Sequence, residues 1–206
     1  MALRTGPIFF RIDWDDIQIA GVATDKNRRW VGKKIGDLAR QRGCPGVDAC
    51  IDLLVEERLA VRMVNFVMDE QEVRRVLAHP LAMIGSDGAA VSPDETGQPH
   101  PRYYGCYPRV LGHYCRELRL FSLETAIHKM TGMPAKQLRL PDRGLIREGY
   151  AADLVLLDFD RVRDTATFDN PQHFPAGIPT VIVNGQVVVD DGKHMGTKPG
   201  RVLTRT

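Results

Sequence analysis

The chain has 206 residues, 43% of them hydrophobic and 26% charged, enough apolar material for one large domain or two small ones. Lys and Arg total 28 against 26 acidic residues, and the basic residues are scattered, so charge argues against a nucleic-acid or membrane-surface partner. No apolar run approaches the roughly 20 residues that span a bilayer, and the start, Met1 to Ile12, carries Arg4 and Arg11 through its apolar stretch, unlike a secretory leader.

Cys44, Cys50, Cys106 and Cys115 form no CxxC pair, which suits free thiols in a reducing, cytoplasmic compartment. Lys33 to Arg42 predicts a helix with Ile35, Leu38 and Ala39 on one face and Gly43 as its stop. Asp48 to Leu59 predicts a second helix whose apolar stripe holds Ile51, Leu54 and Val55, while Glu56, Glu57 and Arg58 face solvent. Val61 to Val67 is rich in β-branched residues and predicts a strand. Asp69 opens a helix with a capping-box pattern, Asp69 with Glu72, that ends near His79-Pro80. Leu81 to Gly85 predicts the next strand, so residues 61 to 88 read as strand, helix, strand, for which a right-handed parallel crossover is expected.

Gly85 to Pro108 is dense in glycine and proline and predicts a long ordered loop. Ser122 caps a helix through Met130 with Leu123, Ala126, Ile127 and Met130 buried, ended by Gly132 and Pro134. Then the period changes to that of strands: Asp153 to Asp158, Thr180 to Val183 and Gln186 to Val189, the last two joined by the hairpin signal Asn184-Gly185. The tail is a small β region appended to an α/β core.

The chemistry concentrates in Ala82-Met83-Ile84-Gly85-Ser86-Asp87-Gly88. An apolar run ending in Ser-Asp-Gly places the carboxylate of Asp87 at a strand's C-terminal end, where a barrel of alternating strands and helices carries its reactive groups. Ser-Asp-Gly equally suits a plain turn. Beyond it lies Pro99-His100-Pro101-Arg102-Tyr103-Tyr104-Gly105. His100 suits packing within the loop as well as substrate contact, Tyr103, Tyr104 and Tyr107 suit the loop's own core, and His113 and His128 read as ordinary satisfied histidines. None of the six histidines stands in His-X-His spacing.

MIGSDG (83 to 88), HPRYYGCYPRVLGHYCRE (100 to 117), LETAIHKMTGMPAKQL (123 to 138), DRGLIREGYAADLVLLD (142 to 158), DTATF (164 to 168) and VIVNGQVVVDDG (181 to 192) together resemble the D-aminoacylases, or N-acyl-D-amino-acid deacylases, of the amidohydrolase superfamily. Weaker similarity lies in Trp14 to Ile17 and Gly32 to Gly43. GxxADLV and VNG are shared widely among amidohydrolases, whereas HPR followed by YPRVLGHY is narrower.

The resemblance implies an α/β fold: residues 1–140 as the C-terminal portion of a metal-dependent (β/α)8 barrel and 141–206 as part of a small β-sandwich region. It implies that Asp87 is the general base beside a metal-bound water and that Arg102 holds the substrate's α-carboxylate. Zinc is the family's metal, an N-acyl-D-amino acid its substrate. The His-X-His pair and the further ligands of a complete member have no match here, and neither Cys106 nor Cys115 matches the family's ligating cysteine. A catalytic zinc needs about three protein ligands, so the isolated chain is expected to bind zinc poorly and to lack deacylase activity. A missing barrel half or a homo-oligomer is the expected partner. A cyclic-amide hydrolase of the dihydroorotase or hydantoinase type and a non-catalytic partner subunit are the alternatives.

Overall fold

The computed structural model describes residues 13–92, 94 and 96–204; the opening stretch Met1 to Ile12, read above as no leader, lies outside them. The chain divides into two compact units. The first is built from residues up to Met68 together with Ser92–His100 and Phe168–Pro171, and the second from Asp69–Val91, Pro101–Thr167 and the remainder.

In the first unit, β1 (Ile17–Gly21) pairs antiparallel with β2 (Arg62–Asn65), Ile17 opposite Asn65 and Ile19 opposite Met63. Helices α1 (Ile35–Arg42) and α2 (Gly46–Glu56) pack on this ribbon. Ile35, Leu38 and Ala39 are buried as the helical period predicts, and Gly43 closes α1 at φ 65°, a left-handed conformation open to glycine at little cost. Asp37 reaches back to the Lys34 backbone N–H at 3.1 Å and fixes the start of α1.

Helix α2 departs from expectation. Its buried side carries Ala49 and Leu53, followed just past its end by Glu57, whereas Ile51 and Val55 are exposed and only Leu54 of the expected stripe is partly covered. The expected solvent position of Glu57 is therefore wrong. The helix is rotated because a concentrated set of donors receives that carboxylate: the backbone N–H groups of Ala23 and Thr24 at 2.7 and 2.8 Å, Thr24 Oγ1 at 2.5 Å and Asn27 Nδ2 at 2.7 Å. A buried carboxylate with four donors is far cheaper than one without them.

In the second unit, α3 (Glu70–Ala78) is capped by Asp69, which accepts from the backbone N–H groups of Gln71 and Glu72. Glu72 turns instead to Arg75 at 2.6 Å. The strand expected at Leu81 to Gly85 is absent, and with it the parallel crossover: β2 pairs with β1, and no described strand runs beside 81–85. A parallel strand takes its hydrogen bonds from neighbours. Here Ile84 gives its N–H to the Lys129 carbonyl at 3.1 Å.

The expected loop also ends early. Helix α4 (Arg102–Arg109) begins right after Pro101 and passes into a π-helix, Val110–Glu117, whose wide turns show in the bond from Leu118 N–H to His113 O at 2.9 Å. Gly112 lets this segment approach residue 162, since a Cβ there would meet Val162 O at 2.6 Å. Val110, Leu111, Tyr114 and Cys115 form the unit's core with Ile84, Ala126 and Val162.

Helix α5 (Leu123–Met130) starts at the Ser122 cap, which accepts from Thr125 N–H at 3.3 Å. On its inner side Lys129 is buried while Ile127 is exposed, which reverses the expected placement of Ile127. Helix α5 stops at Met130 as expected, and after the non-helical Thr131 (φ −131°) Gly132 and Pro134 open a further helix, α6 (Gly132–Leu138), with Pro134 in the first turn, where its missing N–H leaves no bond unmade. The tail is a four-stranded antiparallel sheet in the order β3 (Leu154–Leu156), β4 (Thr180–Val183), β5 (Gln186–Asp190), β6 (Lys193–His194). Among the described residues it is one sheet, where part of a small β-sandwich region is expected. Asn184 and Gly185, at φ 47° and 78°, make the expected tight hairpin, and Asp191-Gly192 repeats it at φ 47° and 72°.

Candidate functional site

The extended segment 81–85 delivers Ser86-Asp87-Gly88 beside the start of α4. Asp87 stands at φ 48°, a left-handed conformation that aspartate tolerates better than most residues, and Ser86 Oγ accepts the Gly88 N–H at 3.2 Å. The two residues singled out from the sequence meet. Arg102 Nε donates to the Asp87 carbonyl at 3.0 Å, and its Nη2 lies 2.7 Å from Asp87 Oδ2. The Asp87 side chain is 83% exposed and that of Arg102 38%, so this is a solvent-facing pair at the rim of a recess of about 200 Å³. Ser86, Gly88, Tyr103, Cys106 and Tyr107 line the recess with Arg102.

Tyr104 sets its ring edge-on to Phe174, centroids 5.9 Å apart, and so packs as well as lining the recess. His113 pairs with Glu117 at 2.9 Å and lies edge-on to Tyr114, the satisfied histidine that its setting in an apolar run suggests. His100 belongs to the first unit, edge-on to Phe168. Cys106 faces the Gly85 carbonyl at 3.9 Å. Burial raises its thiol's pKa, against a smaller lowering by Arg102, and burial also raises that of Cys115, with Glu124 adding to it.

Sequence reading missed Lys129. Its side chain, 2% exposed, donates to the carbonyls of His79 at 2.5 Å and Ala82 at 2.9 Å. A lysine beside the apolar positions of an amphipathic helix reads as a surface residue, and only the tertiary position of 79–82 reveals its acceptors.

The described residues do not fit a catalytic zinc. Among them no three His, Cys, Asp or Glu side chains gather into a ligand set, and the Asp87 carboxylate is engaged by Arg102. No helix among the described residues is long and apolar enough to cross a membrane, and all four cysteines are free.

The amidohydrolase family model matches residues 16–189. The chain is 46% identical over 175 residues to the D-aminoacylase of Alcaligenes xylosoxydans xylosoxydans, which covers 85% of this chain and 34% of that protein. It is 49% identical over 140 residues to the N-acyl-D-aspartate deacylase of the same organism, covering 68% of this chain and 27% of the relative. A D-aminoacylase crystal structure superposes with a TM-score of 0.80 at 41% identity, covering 92% of this chain and 37% of that one. The N-acyl-D-glutamate deacylase of Bordetella bronchiseptica, solved with zinc and a phosphonate mimic of the tetrahedral intermediate, gives a TM-score of 0.75 at 39% identity over 84% of this chain and 34% of that one. The chain thus spans about a third of the length of the relatives it matches, with its barrel unclosed. On these matches it belongs to the D-aminoacylase family of amidohydrolases, as a partial piece of the full-length fold.

Proposed function

We propose that the chain is the C-terminal portion of an N-acyl-D-amino-acid deacylase, with residues up to 140 belonging to the barrel and 141–206 to the small β domain, and that it contributes Asp87 and Arg102 to hydrolysis of a linear amide. The observation that carries this reading is the meeting of these two side chains beside an open recess of about 200 Å³. Guanidinium suits a carboxylate because its planar donors pair with two oxygens at once. On substrate binding, the α-carboxylate replaces the Asp87 side chain on Arg102, while the bond from Arg102 Nε to the Asp87 carbonyl keeps the arginine in place. Asp87, released, takes a proton from the attacking water and hands it to the departing amine nitrogen, leaving a free D-amino acid and a carboxylic acid. A zinc ion would supply activation of that water, and the described residues of this chain would not hold it by themselves.

The test combines this chain with the remaining two-thirds of a D-aminoacylase relative and measures hydrolysis of an N-acetyl-D-amino acid and zinc per complex. Turnover that disappears by a factor of about 10² to 10⁴ in Asp87→Asn, with zinc retained, is the expected result. An Asp87→Asn complex with wild-type turnover removes the general-base assignment, and opening of a cyclic amide in place of acyl cleavage moves the reading to the dihydroorotase or hydantoinase type. A complex that forms but hydrolyses neither supports the non-catalytic subunit instead.

A further inference from the structure

No described strand pairs with residues 79–84, yet they carry the Asp87 loop. Beside the turn bonds from Ala82 N–H to His79 O and from Leu81 N–H to His79 Nδ1, three hydrogen bonds tie the segment to one residue. Lys129 gives its ammonium to the carbonyls of His79 and Ala82, and its own carbonyl takes the N–H of Ile84. Asp87 follows three residues later. Lys129 sits on α5, whose Ala126 and Met130 anchor in the same core that holds Ile84, so the clip is tied to a rigid helix rather than to another loop.

The choice of lysine is costly. Removing an ammonium from water is unfavourable, and burial lowers the pKa of this one. Its described polar partners are two backbone carbonyls. A hydrophobic side chain of similar length avoids that penalty but meets neither carbonyl, so the lysine is held in place by what it does for residues 79–82. A methionine leaves the two carbonyls without their donor. His79 also closes α3, so the ammonium lies at that helix's C-terminal end, where the macrodipole favours a positive charge.

We infer that Lys129 is a positioning residue for Asp87: by holding the His79 and Ala82 carbonyls and the Ile84 N–H, it fixes the segment that aims the Ser86-Asp87-Gly88 loop at Arg102. The inference rests on the reading of Asp87 as the reactive carboxylate, but its test uses neither substrate nor metal. The loop's geometry and the deacylase assignment therefore succeed or fail separately.

The experiment compares the full chain with Lys129→Met and Lys129→Arg by amide hydrogen exchange, and by the rate at which iodoacetamide alkylates Cys106, which faces the Gly85 carbonyl and lines the recess. In Lys129→Met, exchange at Ile84 and Gly88 and alkylation of Cys106 should rise about tenfold, while amides of β4 and β5 and alkylation of Cys44 stay as they were. Lys129→Arg, which retains the donors, should return most of the protection. Unchanged exchange at Ile84 and Gly88 in Lys129→Met overturns the inference. So does an equal rise throughout β4 and β5, which marks a residue that only stabilises the unit, or an Lys129→Arg chain as exposed as Lys129→Met.

Discussion

Each unit buries one charged side chain, and the two are handled differently. Glu57 in the first unit receives its donors from residues 23–27, a tight turn, and from nothing with an evident chemical role. Lys129 in the second spreads its bonds along 79–84, on the way to the loop that holds Asp87 and Arg102. The first cluster saturates its carboxylate and continues through Asn27 only to Glu56 and its partners Arg42 and Lys26, as a structural anchor does; the second leaves its ion partnered by carbonyls alone and ends at an exposed acid. A buried charge by itself therefore says little about function, and what its partners lead to says more.

The comparison breaks first at Glu57. Glu57→Ala leaves the Ala23 and Thr24 backbone N–H groups and the Thr24 hydroxyl without this acceptor, and Asn27 Nδ2 with Glu56 alone, and should cost about 2–4 kcal/mol, read as a lower urea midpoint at unchanged slope. A loss under about 0.5 kcal/mol, the size of an ordinary surface substitution, would show that the turn at 23–27 finds other acceptors. The same carboxylate gives a pH signature. Burial pushes its pKa up, but the bonds from Thr24 and Asn27 and the two backbone N–H groups outweigh burial and hold it at about 2, below the ordinary 4.5. Its contribution is therefore complete above pH 4.5 and is lost as the pH falls from there through 2. In Glu57→Gln that part of the acid sensitivity should vanish, which acid titrations of both chains followed by circular dichroism will show.

What the sequence disclosed follows the range of the forces involved. Asp69 caps α3 with donors two and three residues away, and Asn184-Gly185 turns the β4–β5 hairpin through its own backbone, so both could be read locally. The tertiary bonds could not. The donors to Glu57 lie 30 to 34 residues upstream, and those contacts rotate α2 away from the stripe its own periodicity suggests. Leu81 to Gly85 has strand composition but needs neighbours that the described residues do not provide. The alternation in Ile17-Gln18-Ile19 and the Asp191-Gly192 dipeptide are local signals too, for β1 and the β5–β6 turn. Asp87 is marked by the apolar run that ends in Ser-Asp-Gly and given its role by family resemblance, Arg102 comes from the resemblance alone, and neither reveals that the two touch.

A smaller effect separates backbone geometry from packing in the second unit. Gly185 stands at φ 78° with nothing within 4 Å of where a Cβ would be. Gly185→Ala should therefore cost about 1–2 kcal/mol through the left-handed backbone alone, without a clash. Thermal melts of the variant measure it, and a neutral result means that the turn relaxes out of this conformation.

The smallest expected change sharpens the contrast most. Asp87→Asn removes a carboxylate that is 83% exposed and paired at 2.7 Å with an arginine that is itself 38% exposed. Exposed ion pairs contribute about 0–1 kcal/mol, and asparagine accepts the φ of 48° as readily as aspartate does. Urea unfolding of Asp87→Asn should thus agree with the parent chain to within about 0.5 kcal/mol. If it does, loss of turnover in the combined enzyme cannot be traced to loss of fold, and the acid that matters for chemistry is the one that stability barely registers. A drop as large as that of Glu57→Ala would place Asp87 with the structural anchors instead.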